Sequence, residues 1–291
     1  MSRIGFIGLG IMGAPMAGHL AAAGHQVTGY ARKPAAAQRL TEAGGTAVGS
    51  TAEAVADADV VITMLPDHPE VEDVVLGENG VLANATDGLL LIDMSSIRPE
   101  TSVEIAERGA QRGMRSLDAP VSGGQAGAEN ASLSIMVGGD DADFAAARPL
   151  FDVLGGTVVH VGPHGAGQTV KAANQLVVAG IYALVSEAIV LLEGSGVDAK
   201  AGLDVLAGGL AANRILDQKR STMLAREFTP GFRIDLHDKD MGIAVAAARR
   251  AGVALPVTGL TAQLMAAAKA MGLGQLDHSA LLTVVERLSG R

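Results

Sequence analysis

From residue 3 to about residue 162, short apolar runs alternate with amphipathic stretches. The runs at 4–9, 27–30, 60–64, 89–93, 116–118, 133–137 and 158–161 have the length and apolar continuity of buried strands. Between them, 14–23, 34–43, 50–56, 68–76, 99–112 and 141–154 carry apolar residues at helical spacing. Strands alternating with helices of this length predict βαβ units and a largely parallel sheet. After Gly165 only helical periodicity continues, over roughly 165–194, 198–207, 213–225, 236–251, 256–271 and 277–288. The expectation is an α/β chain: a doubly wound, mostly parallel sheet domain over 1–163, then an all-helical domain over 164–291. Pro163-His164-Gly165 is the expected hinge.

A helix over 165–194 would extend roughly 45 Å, longer than a small domain is wide. Its segment 176–192 is nearly all apolar, but Ser186 and Glu187 interrupt it. That leaves fewer than the roughly 18 uncharged residues of a spanning helix. It reads as a buried helix that links the domains or packs into a partner subunit. The first residues, one arginine and then a glycine-broken strand pattern, do not read as a signal peptide.

Composition narrows the function. Hydrophobic residues make up 48% of the 291, ample for a core, yet there are only 5 Phe, 2 Tyr and no Trp. A net charge of −9 argues against nucleic acid and anionic membrane as partners. Scarce aromatics also remove the stacking platforms that single strands use. Zero cysteines exclude disulfides, thiolate metal sites and a cysteine nucleophile, and suit a cytoplasmic location. The 7 histidines show no ligand spacing, so no metal is expected.

Gly8-Leu9-Gly10-Ile11-Met12-Gly13 directly follows the first strand and opens the first helix. At that strand-to-helix turn the pattern is a dinucleotide fingerprint of Rossmann type. Gly8 permits the tight turn, Gly10 lets a pyrophosphate approach the backbone, and Gly13 lets helix and strand pack closely. The helix start offers N–H groups to phosphate. At the end of the second strand stands Gly29-Tyr30-Ala31-Arg32-Lys33, two cations where NAD-binding chains place a carboxylate. The expected cofactor is therefore NADP (NADPH), with NAD possible. Met64-Leu65-Pro66, at the carboxyl edge of the sheet, could wall that cofactor.

Two further segments carry candidate chemistry. Asp118-Ala119-Pro120-Val121-Ser122-Gly123-Gly124 ends a strand with a hydroxyl and two glycines, a backbone nest for a carboxylate. Gly165-Ala166-Gly167-Gln168-Thr169-Val170-Lys171-Ala172-Ala173-Asn174 places Lys171 and Asn174 one turn apart on the long helix. Apolar neighbours would disfavour the charged form of Lys171 and ease release of its proton.

With the glycine loop, these segments resemble the β-hydroxyacid dehydrogenase family over essentially the whole chain. The likeness includes Asp93-Met94-Ser95-Ser96 and Phe232-Arg233-Ile234-Asp235-Leu236-His237-Asp238-Lys239-Asp240. Gly209-Leu210-Ala211, the run up to His237, and Leu273-Gly274-Gln275-Leu276-Asp277-His278-Ser279-Ala280-Leu281 resemble the subgroup acting on tartronate semialdehyde. The resemblance implies that Lys171 is the catalytic lysine, that Ser122, Gly123 and Gly124 hold the substrate carboxylate, and that Asn174 hydrogen-bonds the substrate. It places Lys239 and Ser96 at the nicotinamide end of the cofactor and Asp240 beside the pocket, with His237 a possible pocket residue. The implied partner is a small carboxylate-bearing aldehyde or hydroxy acid, and the implied assembly a homodimer or homotetramer formed through the helical domain. Related reductases often carry an acidic residue or Asn where this chain has Ala31, which adds weight to NADP.

Alternatives remain within and outside that class. Relatives act on 3-hydroxyisobutyrate, or on succinic semialdehyde and glyoxylate. An imine reductase shares the architecture but is expected to lack the lysine found here at Lys171. A 6-phosphogluconate dehydrogenase is usually much longer. A non-enzymatic NADPH-binding module would need no proton donor, and the set Ser122, Lys171, Asn174 argues against it.

Overall fold

From Ile4 onward the first strand, β1 (Arg3–Ile7), is buried on both faces, as a central strand with parallel neighbours must be. Those neighbours are β2 (Gln26–Tyr30) and β4 (Val60–Thr63), one on each side. Beyond β2 lies β3 (Thr46–Val48); beyond β4 follow β5 (Leu90–Asp93) and β6 (Arg115–Asp118), all parallel. The order β3-β2-β1-β4-β5-β6 reverses its winding between β1 and β4. In such sheets the ligand crevice opens at the carboxyl ends of the strands flanking that switch. The sheet then departs from parallel. β8 (Leu133–Gly139) runs antiparallel to both β6 and the short β7 (Val121–Ser122), and β9 (Gly155–Gly162) returns parallel to β8.

This computed structural model describes residues 1–291, apart from the side chain of Pro34. The chain gathers into two units, Met1–Lys171 and Ala172–Arg291. In the first, α1 (Gly13–Ala22), α2 (Pro34–Glu42), α3 (Thr51–Val55), α4 (His68–Leu76), α5 (Val81–Asn84), α6 (Pro99–Ala110), α7 (Gly124–Glu129) and α8 (Asp141–Leu154) connect the strands. Local chemistry starts several of them. Ser50 Oγ accepts from the Glu53 N–H at 3.2 Å while Glu53 reaches back to Ser50 and Gly49, a capping box for α3. Asp67 accepts the His68 N–H at the start of α4.

In the second unit every element is helical: the bulk of α9 (Ala166–Gly194), then α10 (Ala199–Ala207), α11 (Arg214–Leu224), α12 (Ile234–Ala251), α13 (Pro256–Ala270), a single 3-10 turn (His278–Ala280) and α14 (Leu281–Leu288). By length and composition α9 could cross a membrane, with 44% of its most apolar window buried inside the protein. Ala179, Tyr182, Val185 and Ile189 on its inner face pack into the helical core with Met223, Met241, Met265 and Leu282. A stripe of Val177, Leu184 and Leu191, recurring every seventh residue, is exposed.

The alternation of strand and helix and the helical remainder agree with the sequence pattern. β3, α5, β7 and α7 do not stand out in it. β3 and β7 are only 3 and 2 residues long, α5 has 4, and α7 grows out of Gly123-Gly124. Pieces this short hold fewer than two periods of either pattern, too few to register as a repeat. Pro163–Gly165 marks where α9 begins, whereas the division of the chain into units falls inside α9, at Lys171.

Candidate active site

The glycine loop occupies the switch point. Gly8 adopts φ +103°, and a Cβ there would lie 2.3 Å from the Met64 carbonyl oxygen. A Cβ on Gly13 would lie 1.9 Å from the Gly8 carbonyl oxygen, so helix and loop could not close on a larger residue. Around Gly10, by contrast, nothing lies within 4 Å of the Cβ position. No side chain caps the start of α1 among the described residues. An open backbone approach beside uncapped helix N–H groups fits a pyrophosphate. Ile11 is half exposed and Met12 partly buried at that turn.

At the end of β2, Arg32 and Lys33 are both exposed, and the extended backbone of Lys33 leads into α2. At the end of β4, Met64 and Leu65 are half-buried and Pro66 is exposed. The Met64 N–H donates to the Ile7 carbonyl at 2.9 Å. The Leu65 N–H donates to Ser95 Oγ, also at 2.9 Å. Three strand ends are thereby tied together beneath the glycine loop.

A buried polar network then joins the strand ends to the start of α9. Thr63 Oγ1 donates to Asp93 Oδ1 at 2.7 Å, and that oxygen also accepts the Ser95 N–H. Asp93 Oδ2 has no hydrogen-bond partner among the described residues. Burial pushes the Asp93 carboxyl up to about 6, against the Ser95 and Thr63 hydrogen bonds that lower it. The Gln168 carboxamide clamps the loop after β5: Nε2 donates to the Ser95 carbonyl at 2.8 Å and Oε1 accepts the Ile97 N–H at 3.1 Å. Ser96, the residue between, is half-buried. Asp118, at the end of β6, accepts the Gly165 N–H at 2.7 Å and the Gln168 N–H at 2.9 Å. Its carboxylate thus caps α9 from 47 residues away in sequence. Burial raises the Asp118 carboxyl above its ordinary range, and the two N–H donors oppose that rise.

One turn beyond Gln168 stands Lys171, buried to 8% exposure, with Nζ donating to the Val121 carbonyl at 2.8 Å. Val121 immediately precedes Ser122, Gly123 and Gly124. Ser122 pairs with Ser134 across β7 and β8, and Gly123 and Gly124 have φ of +135° and +61°. Both values lie in the positive-φ region that glycine favours, and the pair opens α7, whose first N–H groups no side chain caps among the described residues. The lysine and the serine–glycine turn, 47 residues apart or more in sequence, are brought together within the first unit.

Asn174 follows on the same helix, in the second unit. Its Nδ2 donates to Gln175 Oε1 at 2.8 Å. Gln175 Nε2 in turn donates to Asp240 Oδ2 in a short bond. Lys239 Nζ lies 3.0 Å from Asp240 Oδ1. His237 is fully buried; its Nε2 lies 3.2 Å from the Gln175 carbonyl and its Nδ1 3.0 Å from His278 Nδ1. Asn174, Lys239 and Asp240 therefore belong to one cluster.

Sequence reasoning did not single out Gln168, Asp118, Asp93, Gln175 or His278 as working residues. The available signal was a polar side chain inside an otherwise small and apolar helix, at Gln168 and Gln175, and a carboxylate ending an apolar strand, at Asp93 and Asp118.

Comparison with known proteins accords with this geometry. The profile for the NAD binding domain of 6-phosphogluconate dehydrogenase matches residues 3–162. That for the NAD-binding domain of NADP-dependent 3-hydroxyisobutyrate dehydrogenase matches residues 165–285. The chain is 42% identical over 287 residues to 2-hydroxy-3-oxopropionate reductase of Escherichia coli K12, covering 99% of this chain and 98% of that protein. The chain belongs to the β-hydroxyacid dehydrogenase family. Solved structures superpose along nearly the whole chain. Mycobacterium tuberculosis 3-hydroxyisobutyrate dehydrogenase with L-serine gives a TM-score of 0.88 at 37% identity, covering 98% of this chain and 99% of that one. Psf3 in complex with NADP+ and 2-OPP also gives 0.88, at 26% identity, covering 97% and 99%. This family member is an NAD(P)-dependent oxidoreductase acting on hydroxyacids.

Proposed function

We propose that this β-hydroxyacid dehydrogenase is an NADPH-dependent reductase that interconverts tartronate semialdehyde (2-hydroxy-3-oxopropionate) and D-glycerate, with Lys171 as general acid and base. The observation that carries the reading is the Lys171 ammonium 2.8 Å from the Val121 carbonyl, beside the Ser122-Gly123-Gly124 turn. A proton donor and a carboxylate nest in that proximity suit a short aldehyde bearing a carboxylate. The likeness to the Escherichia coli 2-hydroxy-3-oxopropionate reductase supports the choice of semialdehyde.

When bound, the nicotinamide cofactor supplies the hydride for the aldehyde carbon. Ser122 and the N–H groups of Gly123 and Gly124 hold the substrate carboxylate, and Asn174 hydrogen-bonds the substrate. Fixing both ends contributes orientation worth several kcal/mol. Negative charge then develops on the aldehyde oxygen; Lys171 Nζ stabilises it and delivers a proton. In the reverse direction, neutral Lys171 takes the hydroxyl proton. Gly8, Gly10, Ile11, Met12 and Gly13 receive the pyrophosphate, Met64, Leu65 and Pro66 wall the cofactor, and Ser96 and Lys239 serve its nicotinamide end. Arg32 and Lys33 favour a 2′-phosphate, hence NADPH over NADH. Asp240 acts on the substrate side through the contacts described above. In this reading the protein is cytoplasmic and works as a homodimer or homotetramer, the exposed Val177–Leu184–Leu191 stripe being covered by a second copy.

A second reading has a specific likeness behind it. The Mycobacterium tuberculosis relative is a 3-hydroxyisobutyrate dehydrogenase with L-serine, so a 3-hydroxy acid is the competing substrate class. Assay of tartronate semialdehyde, succinic semialdehyde, glyoxylate, 3-hydroxyisobutyrate and serine with both cofactors ranks the candidates. The proposal requires the highest kcat/KM for tartronate semialdehyde with NADPH, and a higher value for any other pair overturns it.

A further inference from the structure

Three polar groups in the helical unit form a hydrogen-bond chain whose direction is fixed by chemistry. Asp240 is 3% exposed, and its neighbour Lys239 places an ammonium 3.0 Å from Oδ1. A carboxylate only accepts. The Gln175 group facing Asp240 Oδ2 must therefore be its amide nitrogen, which leaves Oε1 facing Asn174. That oxygen also only accepts, so Asn174 must turn Nδ2 toward it. The carboxylate on α12 thereby sets the rotation of the Asn174 carboxamide on α9 through one intervening side chain. The backbone of Gln175 is held as well. His237 Nε2–H donates to the Gln175 carbonyl, and His237 Nδ1 lies 3.0 Å from His278 Nδ1 behind it.

We propose that Gln175 is a positioning residue for the reductase reaction, transmitting the polarity of Asp240 to Asn174 and so fixing which end of the Asn174 carboxamide the substrate meets. The inference rests on the assignment of Asn174 to substrate binding. It extends that assignment by placing the control of substrate orientation in a residue that itself touches no reacting atom.

The titratable groups around Gln175 are Asp240, Lys239 and His237 on α12, His278 behind His237, and Lys171 one turn earlier on α9. Gln175→Glu would set a second carboxylate against Asp240, and the pair would hold one proton more tightly than a lone carboxyl does. With that proton in place the new side chain again donates to Asp240 and accepts from Asn174. Without it the chain is broken. Gln175→Leu breaks it at every pH.

At pH 8, both variants should lose about tenfold in kcat/KM for the semialdehyde, the worth of one hydrogen bond of about 1.4 kcal/mol, mostly through KM. At pH 6, Gln175→Glu should recover to within about threefold of the wild type at that pH, while Gln175→Leu stays low. The double variant Gln175→Glu with Asp240→Asn restores donors on both sides of one carboxylate, and should recover at pH 8 relative to Gln175→Glu alone. Wild-type kinetics in Gln175→Leu, an unrecovered Gln175→Glu at pH 6, or no rescue by the double variant each overturn the inference. Urea denaturation of the same variants reads the chain without turnover: Gln175→Glu should gain stability over Gln175→Leu as pH falls from 8 to 6. A wild type inert toward every short semialdehyde, with that stability gain present, would sink the proposed reaction and leave the chain standing. An active wild type with no stability gain would sink the chain alone.

Discussion

Lys171 donates to the carbonyl of Val121 at 2.8 Å, one residue before the Ser122-Gly123-Gly124 turn. The contact joins a helix to a strand end that the sequence separates by 50 residues. It holds the Lys171 ammonium beside that turn.

Lys171→Ala should lower kcat by about 10²- to 10⁴-fold, the usual worth of a positioned general acid. NADPH affinity, read by fluorescence titration, should stay nearly unchanged. Equal losses in turnover and NADPH affinity would make the lysine a structural residue.

Arg32→Ala should raise the KM for NADPH by about 10- to 100-fold, as loss of a charge-assisted bond to phosphate does. The KM for NADH should barely move. Steady-state kinetics with both cofactors decide the matter, and a constant NADPH/NADH ratio would remove the argument from the 2′-phosphate.

Gln168→Leu strands two backbone groups, the Ser95 carbonyl and the Ile97 N–H, around the half-buried Ser96. Stability to urea should fall by roughly 2–4 kcal/mol. Because the freed loop carries Ser96, the KM values for NADPH and NADH should rise together. A variant as stable as the wild type would show that the clamp is idle.

Asp93 gives a pH signature. Its folded-state carboxyl titrates at about 6, above the ordinary 3.8, so the folded protein binds the extra proton between those values. Its contribution to stability is therefore full below about pH 4 and is lost as pH rises through about 6, by roughly 3 kcal/mol. Asp93→Asn carries no such charge. The stability of the variant relative to wild type should improve by about 2 kcal/mol between pH 4.5 and pH 7.5 in denaturant titrations. A difference independent of pH would contradict the burial argument.

The sheet and the glycine loop were legible because they obey strong local rules. A continuous apolar strand such as Ile4–Ile7, followed at once by glycines, leaves little choice of structure. Lys171 and the Ser122 turn were legible only as motif segments, since their meeting depends on how β7 and α9 fold together. Asp118 shows why the remainder was hidden. Nothing in its neighbourhood announces that it caps a helix 47 residues later. Gln168 and Gln175 look alike in sequence, as amides in a small-residue helix. One clamps a loop of the sheet unit and the other bridges two helices of the helical unit, and only the tertiary structure separates them.

The most direct test mixes the wild-type protein with NADPH and tartronate semialdehyde and follows NADPH absorbance, with the product identified by chiral chromatography. The expected result is multiple-turnover oxidation of NADPH with stoichiometric D-glycerate. Absence of turnover, or oxidation without glycerate, would contradict the account.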